Sequence, residues 1–158
     1  MEQYIQPFIE VTKNTFKNFI GTELNVGHPY FKEKDTVDDG DISGIIGLSG
    51  EARGAVVISM KTDLSARLTG LLTGKLHKAV DDEVVDAVGE IVNIISGNAK
   101  KGLEDSFRII ISLPTIVVGK GHQIKWPHEQ AKIICIPFNI FIKESFTLSV
   151  AIESVKAA

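Results

Sequence analysis

Apolar side chains recur at helical spacing from the start of this chain. Ile5, Phe8, Ile9, Thr12, Phe16 and Phe19/Ile20 share one side of the stretch Tyr4 to Ile20, with Gln6, Glu10, Lys13 and Lys17 opposite. This spacing predicts an amphipathic helix, and Gly21 is its expected stop. Leu24 to Phe31, interrupted by Gly27-His28-Pro29, reads as a short irregular strand, followed by a polar loop through Asp41. Ile42 to Leu48 and Gly54 to Met60 flank Ser49-Gly50-Glu51-Ala52-Arg53, a hairpin pattern.

The helical period then returns. Thr62-Asp63 is expected to cap a helix running to Leu72 and ended by Thr73-Gly74. A longer helix is predicted from near Asp81-Asp82-Glu83, whose carboxylates suit the positive end of the helix dipole, to about Leu103. The last third is rich in branched residues: Arg108 to Val118, Ala131 to Phe141 and Phe146 to Ser154 read as strands. The final one alternates, with Phe146, Leu148, Val150 and Ile152 on one side and Thr147, Ser149, Ala151 and Glu153 on the other. One face is therefore expected under helices and the other toward water. Pro137 within a strand places its own position at an edge or bulge. The order αβββααβββ predicts an α+β fold of two similar halves, with helices packed on a largely antiparallel sheet.

At 158 residues the chain is expected to form a single domain, 1–158. A net charge of −3 supplies no surplus of cations for phosphates, which argues against a nucleic-acid binder. No apolar run is long enough to span a bilayer, and Met-Glu-Gln-Tyr does not begin a signal peptide. A cytoplasmic, non-membrane protein is the expectation. Cys135, the only cysteine, is flanked by isoleucines and reads as a buried apolar thiol.

The long helix holds the candidate chemistry. Its core stripe is Val84, Val85, Val88, Ile91, Val92, Ile95 and Ala99. A turn of ~100° per residue gathers Asp86, Glu90, Asn93, Gly97 and Lys101 on the opposite stripe, with Ile94 beside it as an exposed apolar group. Glu90 and Asn93, three residues apart, project side by side. A carboxylate, a carboxamide, a small residue and an apolar one suit a docking face. The competing reading on this pattern alone is a solvated helix face with an incidental asparagine.

Asp86-x3-Glu90-x2-Asn93, with Gly97-Asn98 behind it and Pro114 in the following strand, resembles the signature of the CheC/CheX/FliY phosphatases. Pro7-Phe8-Ile9-Glu10-x-Thr12 and the Gly50-to-Gly54 hairpin also look like CheX, and the similarity runs over nearly the whole chain. The resemblance implies a phosphatase acting on the aspartyl phosphate of a CheY-like response regulator. Asn93 would orient the attacking water and Glu90 would pair with the regulator's active-site lysine. Asp86, Ile94, Gly97 and Lys101 would contact the partner, and the regulator would supply the Mg²⁺, leaving no metal or cofactor to this chain. CheC-type members repeat the motif on the first helix. Here Glu10-Val11-Thr12-Lys13-Asn14 places Lys13 where the second asparagine belongs, so a single active helix, the CheX arrangement, is implied. A homodimer joined through sheets is implied as well.

Two other readings stand beside the enzyme: a response-regulator docking module of the same fold without turnover, and a structural subunit of the flagellar switch as in FliY. The intact Glu90/Asn93 pair favours the enzyme, and the absence of an appended domain or targeting tail counts against the switch subunit. His28, His77, His122 and His128 have no metal-ligand spacing, and the last two are expected on a surface loop around Trp126-Pro127. Gly70 to Lys75 is one residue short of a phosphate loop and lacks its Ser or Thr. Gly119-Lys120-Gly121 reads as a turn.

Overall fold

The first helix does not continue unchanged to Gly21. In the computed structural model, which describes residues 2–33, 40–126 and 132–155, α1 (Glu2–Thr15) passes into a π-helical turn (Phe16–Ile20). Gly21, in the left-handed region at φ 84°, closes it by donating its N–H to Phe16 O at 2.8 Å. The wider turn aims Phe16 into the core, where it stacks on Phe146, and turns Phe19 outward. Phe19, expected on the apolar side, is exposed.

The remaining elements are β1 (Asn25–Val26), β2 (Tyr30–Phe31), β3 (Ile42–Gly50), β4 (Ala52–Met60), α2 (Thr62–Thr73), α3 (Asp82–Leu103), β5 (Ile109–Ile111), β6 (Thr115–Val118), β7 (Ile134–Ile140) and β8 (Glu144–Ser154). The strands form one antiparallel sheet in the order β1-β7-β8-β4-β3-β5, with β2 also on β7 and β6 also on β3. The fold is α+β, as expected, and its two halves exchange edge strands. β1 and β2 of the first half line β7, and β5 and β6 of the second line β3. β4 and β8, the last strand of each half, pair at the centre.

Several boundaries differ from the sequence reading. The hairpin's own pairing ends at Leu48 and Gly54, as read, but β3 runs on to Gly50 and β4 starts at Ala52 because Ser49 and Gly50 pair with Ile110 and Ile109, and Ala52 and Arg53 with Ser154 and Glu153. Arg108 to Val118 is two strands, since Ser112-Leu113-Pro114 breaks the pairing with β3. Leu24 to Phe31 likewise holds two short strands. Between them, Gly27 N donates to Pro137 O at 2.8 Å. The missing N–H of Pro137 therefore falls at the interrupted outer edge of β7, which agrees with its expected placement. The cap expected from Thr62-Asp63 is replaced: Thr62 N donates to Asp41 Oδ2 at 3.4 Å, from the end of the preceding loop. Residues 34–39 of that loop, Pro127, His128 and the predicted strand start at Ala131 lie outside the described residues.

One face of the sheet carries the helices. Ile46, Val56, Val150 and Ile134 align across four strands on that side, all buried. α3 lies over β3, and Gly44 makes the close approach: a Cβ there would stand 3.1 Å from Val92 Cγ1 and 3.2 Å from Val88 Cγ1. The opposite face does not simply see water. Ser43, Val57, Cys135 and Ser149 point that way and are buried too. The chain leaves β6 beside β3 and re-enters at β7, beyond β4 and β8. On the way His122, expected on the surface, is half-buried and reaches the sheet. Its Nδ1 lies 2.7 Å from Gly119 O, so Nδ1 carries the proton and donates. Nε2 then accepts from Ser43 Oγ at 2.7 Å, and Ser43 Oγ accepts from Ser59 Oγ at 2.7 Å.

Candidate functional site

α3 is built to be held at its beginning. Asp81 is the N-cap, its Oδ1 accepting Val84 N–H at 2.9 Å, and Asp82 and Glu83 follow in the first turn. Lys100 and Lys101 complement the dipole at the other end. Asp81 Oδ2 also accepts from His77 Nδ1 at 2.8 Å, and His77 Nε2 lies 3.0 Å from Thr73 Oγ1 in the last turn of α2. The hydrogen bond from His77, reinforced by the one from Val84, holds the Asp81 carboxyl below its ordinary pKa of 3.8. One buried histidine thus ties the end of α2 to the start of the long helix.

The inner side of α3 matches the predicted stripe. Val84, Val88, Ile91, Val92, Ile95 and Ala99 are buried, joined by Gly89, Ser96 and Leu103. Val85 is only half-buried, so it marks the margin of the stripe. Pro114 buttresses the helix from the break between β5 and β6, its Cγ 3.4 Å from where a Gly89 Cβ would stand.

The nominated residues occupy the outer side. Asp86, Glu90 and Lys101 are exposed, and Asn93, Ile94 and Gly97 are half-buried. Ile94 was expected to be exposed. It leans partly into the neighbouring packing, so it offers less apolar surface than the pattern indicated. Asp86 and Lys101 stand at the two ends of a face about 22 Å long, while Glu90, Asn93 and Gly97 fall within about 10 Å. Glu90 and Asn93 lie one turn apart, and among the described residues neither side chain makes a hydrogen bond or ion pair. A carboxylate and a carboxamide thus stand together with bonding capacity that the described residues leave unused. Lys13, in the corresponding position of α1, is half-buried and carries no amide.

The described residues include no cluster of three His, Cys, Asp or Glu able to hold a metal ion, and no helix long and apolar enough to cross a membrane. Gly70 to Thr73 is helical, which removes it as a phosphate loop. Gly119 and Gly121 form the expected turn, and Cys135 is buried beside Ser149 Oγ. The ties made by His77 and His122 were not read from the sequence. Asp81 was legible as a helix start, but its histidine partner depends on how the α2–α3 loop folds.

Residues 42–139 match the family model described as chemotaxis phosphatase CheX. The chain belongs to the CheX family. It is 31% identical to chemotaxis protein CheX of Vibrio vulnificus, covering 96% of this chain and 99% of that one at a TM-score of 0.85. CheY-P phosphatase CheX of Thermotoga maritima is 23% identical over 142 residues, 89% of each chain. The fold is also that of the Borrelia burgdorferi protein in the CheX–CheY–BeF₃–Mg²⁺ complex, at TM-score 0.82 and 23% identity, covering 96% of this chain and 98% of that one.

Proposed function

We propose that this chain hydrolyses the aspartyl phosphate of a CheY-like response regulator, with α3 laid against the regulator's active site. The observation that carries the reading is the pair Glu90 and Asn93, adjacent on the outer face of a well-anchored helix and unpartnered among the described residues. The names of its relatives, a CheY-P phosphatase and a CheX captured with CheY, support the same partner.

The chemistry asks little of the protein beyond placement. Water attacks phosphorus in line, the P–O bond to the aspartate breaks, and the carboxylate leaves with the bonding pair. Asn93 accepts a hydrogen bond from the water through its carbonyl, which fixes the direction of the oxygen lone pair, and its NH₂ remains free to donate. An amide does this without bringing negative charge toward the phosphoryl group. Glu90, one turn earlier, pairs with the regulator's lysine and sets the register of the helix on its partner. Mg²⁺ in the regulator neutralises phosphoryl charge.

Phosphate release from Mg²⁺-bound, phosphorylated CheY-type regulators of the same organism tests the proposal. Native protein should accelerate release, and Asn93→Ala should lower that acceleration on the order of 10²-fold. Binding without acceleration by the native protein would replace the enzyme with a docking module.

A further inference from the structure

Glycine in the middle of an exposed helix is unfavourable, because it loses more backbone freedom on folding than any other residue. It persists where a side chain would clash or where φ is positive. Along this chain the glycines can be sorted on those two grounds. Gly21, Gly50, Gly54, Gly74, Gly119 and Gly121 have positive φ, and Gly27, Gly40, Gly44, Gly70 and Gly89 stand against other atoms at 3.4 Å or closer. Gly47 and Gly102 have looser neighbours, at 3.5 and 3.8 Å. Gly97 alone combines an ordinary helical φ with no atom of the described residues, its own helix backbone and chain neighbours aside, within 4 Å of where a Cβ would stand.

Nothing among the described residues therefore accounts for Gly97. Its position is specific: it follows Asn93 by one turn on the same outer face, and Glu90 by two. There the surface of α3 lacks a side chain, and the space a Cβ would fill beside the amide is open, although the glycine itself is half-buried.

We infer that Gly97 is the point of closest approach between α3 and the response regulator, and that its missing side chain sets how deeply Asn93 reaches the phosphoaspartate. This rests on the proposed phosphatase reading and adds a residue that determines fit. Backbones approach closely only where neither surface carries bulk. A methyl group at residue 97 would hold the partner off, and a displacement of about 1 Å at an in-line reaction is costly.

The inference makes two effects of one substitution run in opposite directions. Gly97→Ala should raise the thermal midpoint by roughly 2–4 °C, since it removes a helix-interior glycine without a clash. The same variant should lower kcat/KM for phosphorylated regulator on the order of tenfold, and Gly97→Leu on the order of 10²-fold. Affinity for regulator loaded with BeF₃⁻ and Mg²⁺ should fall in the same sequence. Gly102→Ala, a second helical glycine of α3 with room for a methyl group, is the matched control and should stabilise while leaving kcat/KM unchanged. A native protein that binds or hydrolyses, with the Ala and Leu variants both within twofold of it, overturns the role of Gly97 alone. A native protein that neither binds nor hydrolyses overturns both this role and the phosphatase reading.

Discussion

His77 Nδ1 donates to Asp81 Oδ2 at 2.8 Å while the other oxygen of that carboxylate caps α3 through Val84 N–H. The helix that carries Glu90 and Asn93 is thus anchored through an ionised side chain whose proton affinity the fold has lowered.

A carboxyl with a depressed folded-state pKa contributes stability that is complete above its ordinary value of 3.8 and is lost as pH falls through the lower folded value. Thermal midpoints of native protein and Asp81→Ser, which keeps a capping oxygen, should therefore converge as pH is lowered from 6 toward 3. Parallel curves across that range would mean that the His77 pairing contributes nothing to stability.

Asn93 is proposed to act as a neutral positioning group. Asn93→Asp preserves its shape, yet should lower phosphatase activity at least as far as Asn93→Ala, on the order of 10²-fold, because it adds charge beside the phosphoryl group. Both variants should retain stability to within about 0.5 kcal/mol, the side chain having no hydrogen-bond partner among the described residues. Retained activity in the Asp variant, measured by phosphate release, would point to a general base instead.

Gly44 sets the distance between β3 and α3. Gly44→Ala should cost about 1–3 kcal/mol by overpacking Val88 and Val92, read as a lower urea midpoint. Stability equal to that of the native protein would show that the helix can slide to admit a methyl group.

His122 fastens the connection between β6 and β7 to the far face of the sheet. His122→Ala should cost about 1–2 kcal/mol and speed amide exchange in residues 119–126 more than in α3. Unchanged exchange there would show the segment to be held by other contacts.

Much of this fold was legible because its signals are local. The period of α3 separated Ile91, Val92 and Ile95 from Glu90 and Asn93, and the structure buries the first three and turns the second pair outward. Gly21 and Gly74 marked helix ends through their left-handed conformations. The break at Ser112-Leu113-Pro114 went unread because three isoleucines and a valine pair on either side make one apparent strand. Ile94 was misjudged because its burial depends on what packs beside α3, which lies outside a helical wheel.

The sequence by itself determined the order of the main elements, the inward and outward sides of the long helix, and the residue types on the candidate face. Those follow from backbone geometry and side-chain spacing, which act over a few residues. Tertiary structure alone decided the exchange of edge strands, the ties of His77 and His122, and the space that the described residues leave open beside Gly97. Ser43 and His122 are 79 residues apart, and only chain topology brings them to 2.7 Å. The open space beside Gly97 is likewise a property of the assembled surface. A glycine in a sequence does not say whether its space is already taken, and here the fold leaves that space open beside the amide.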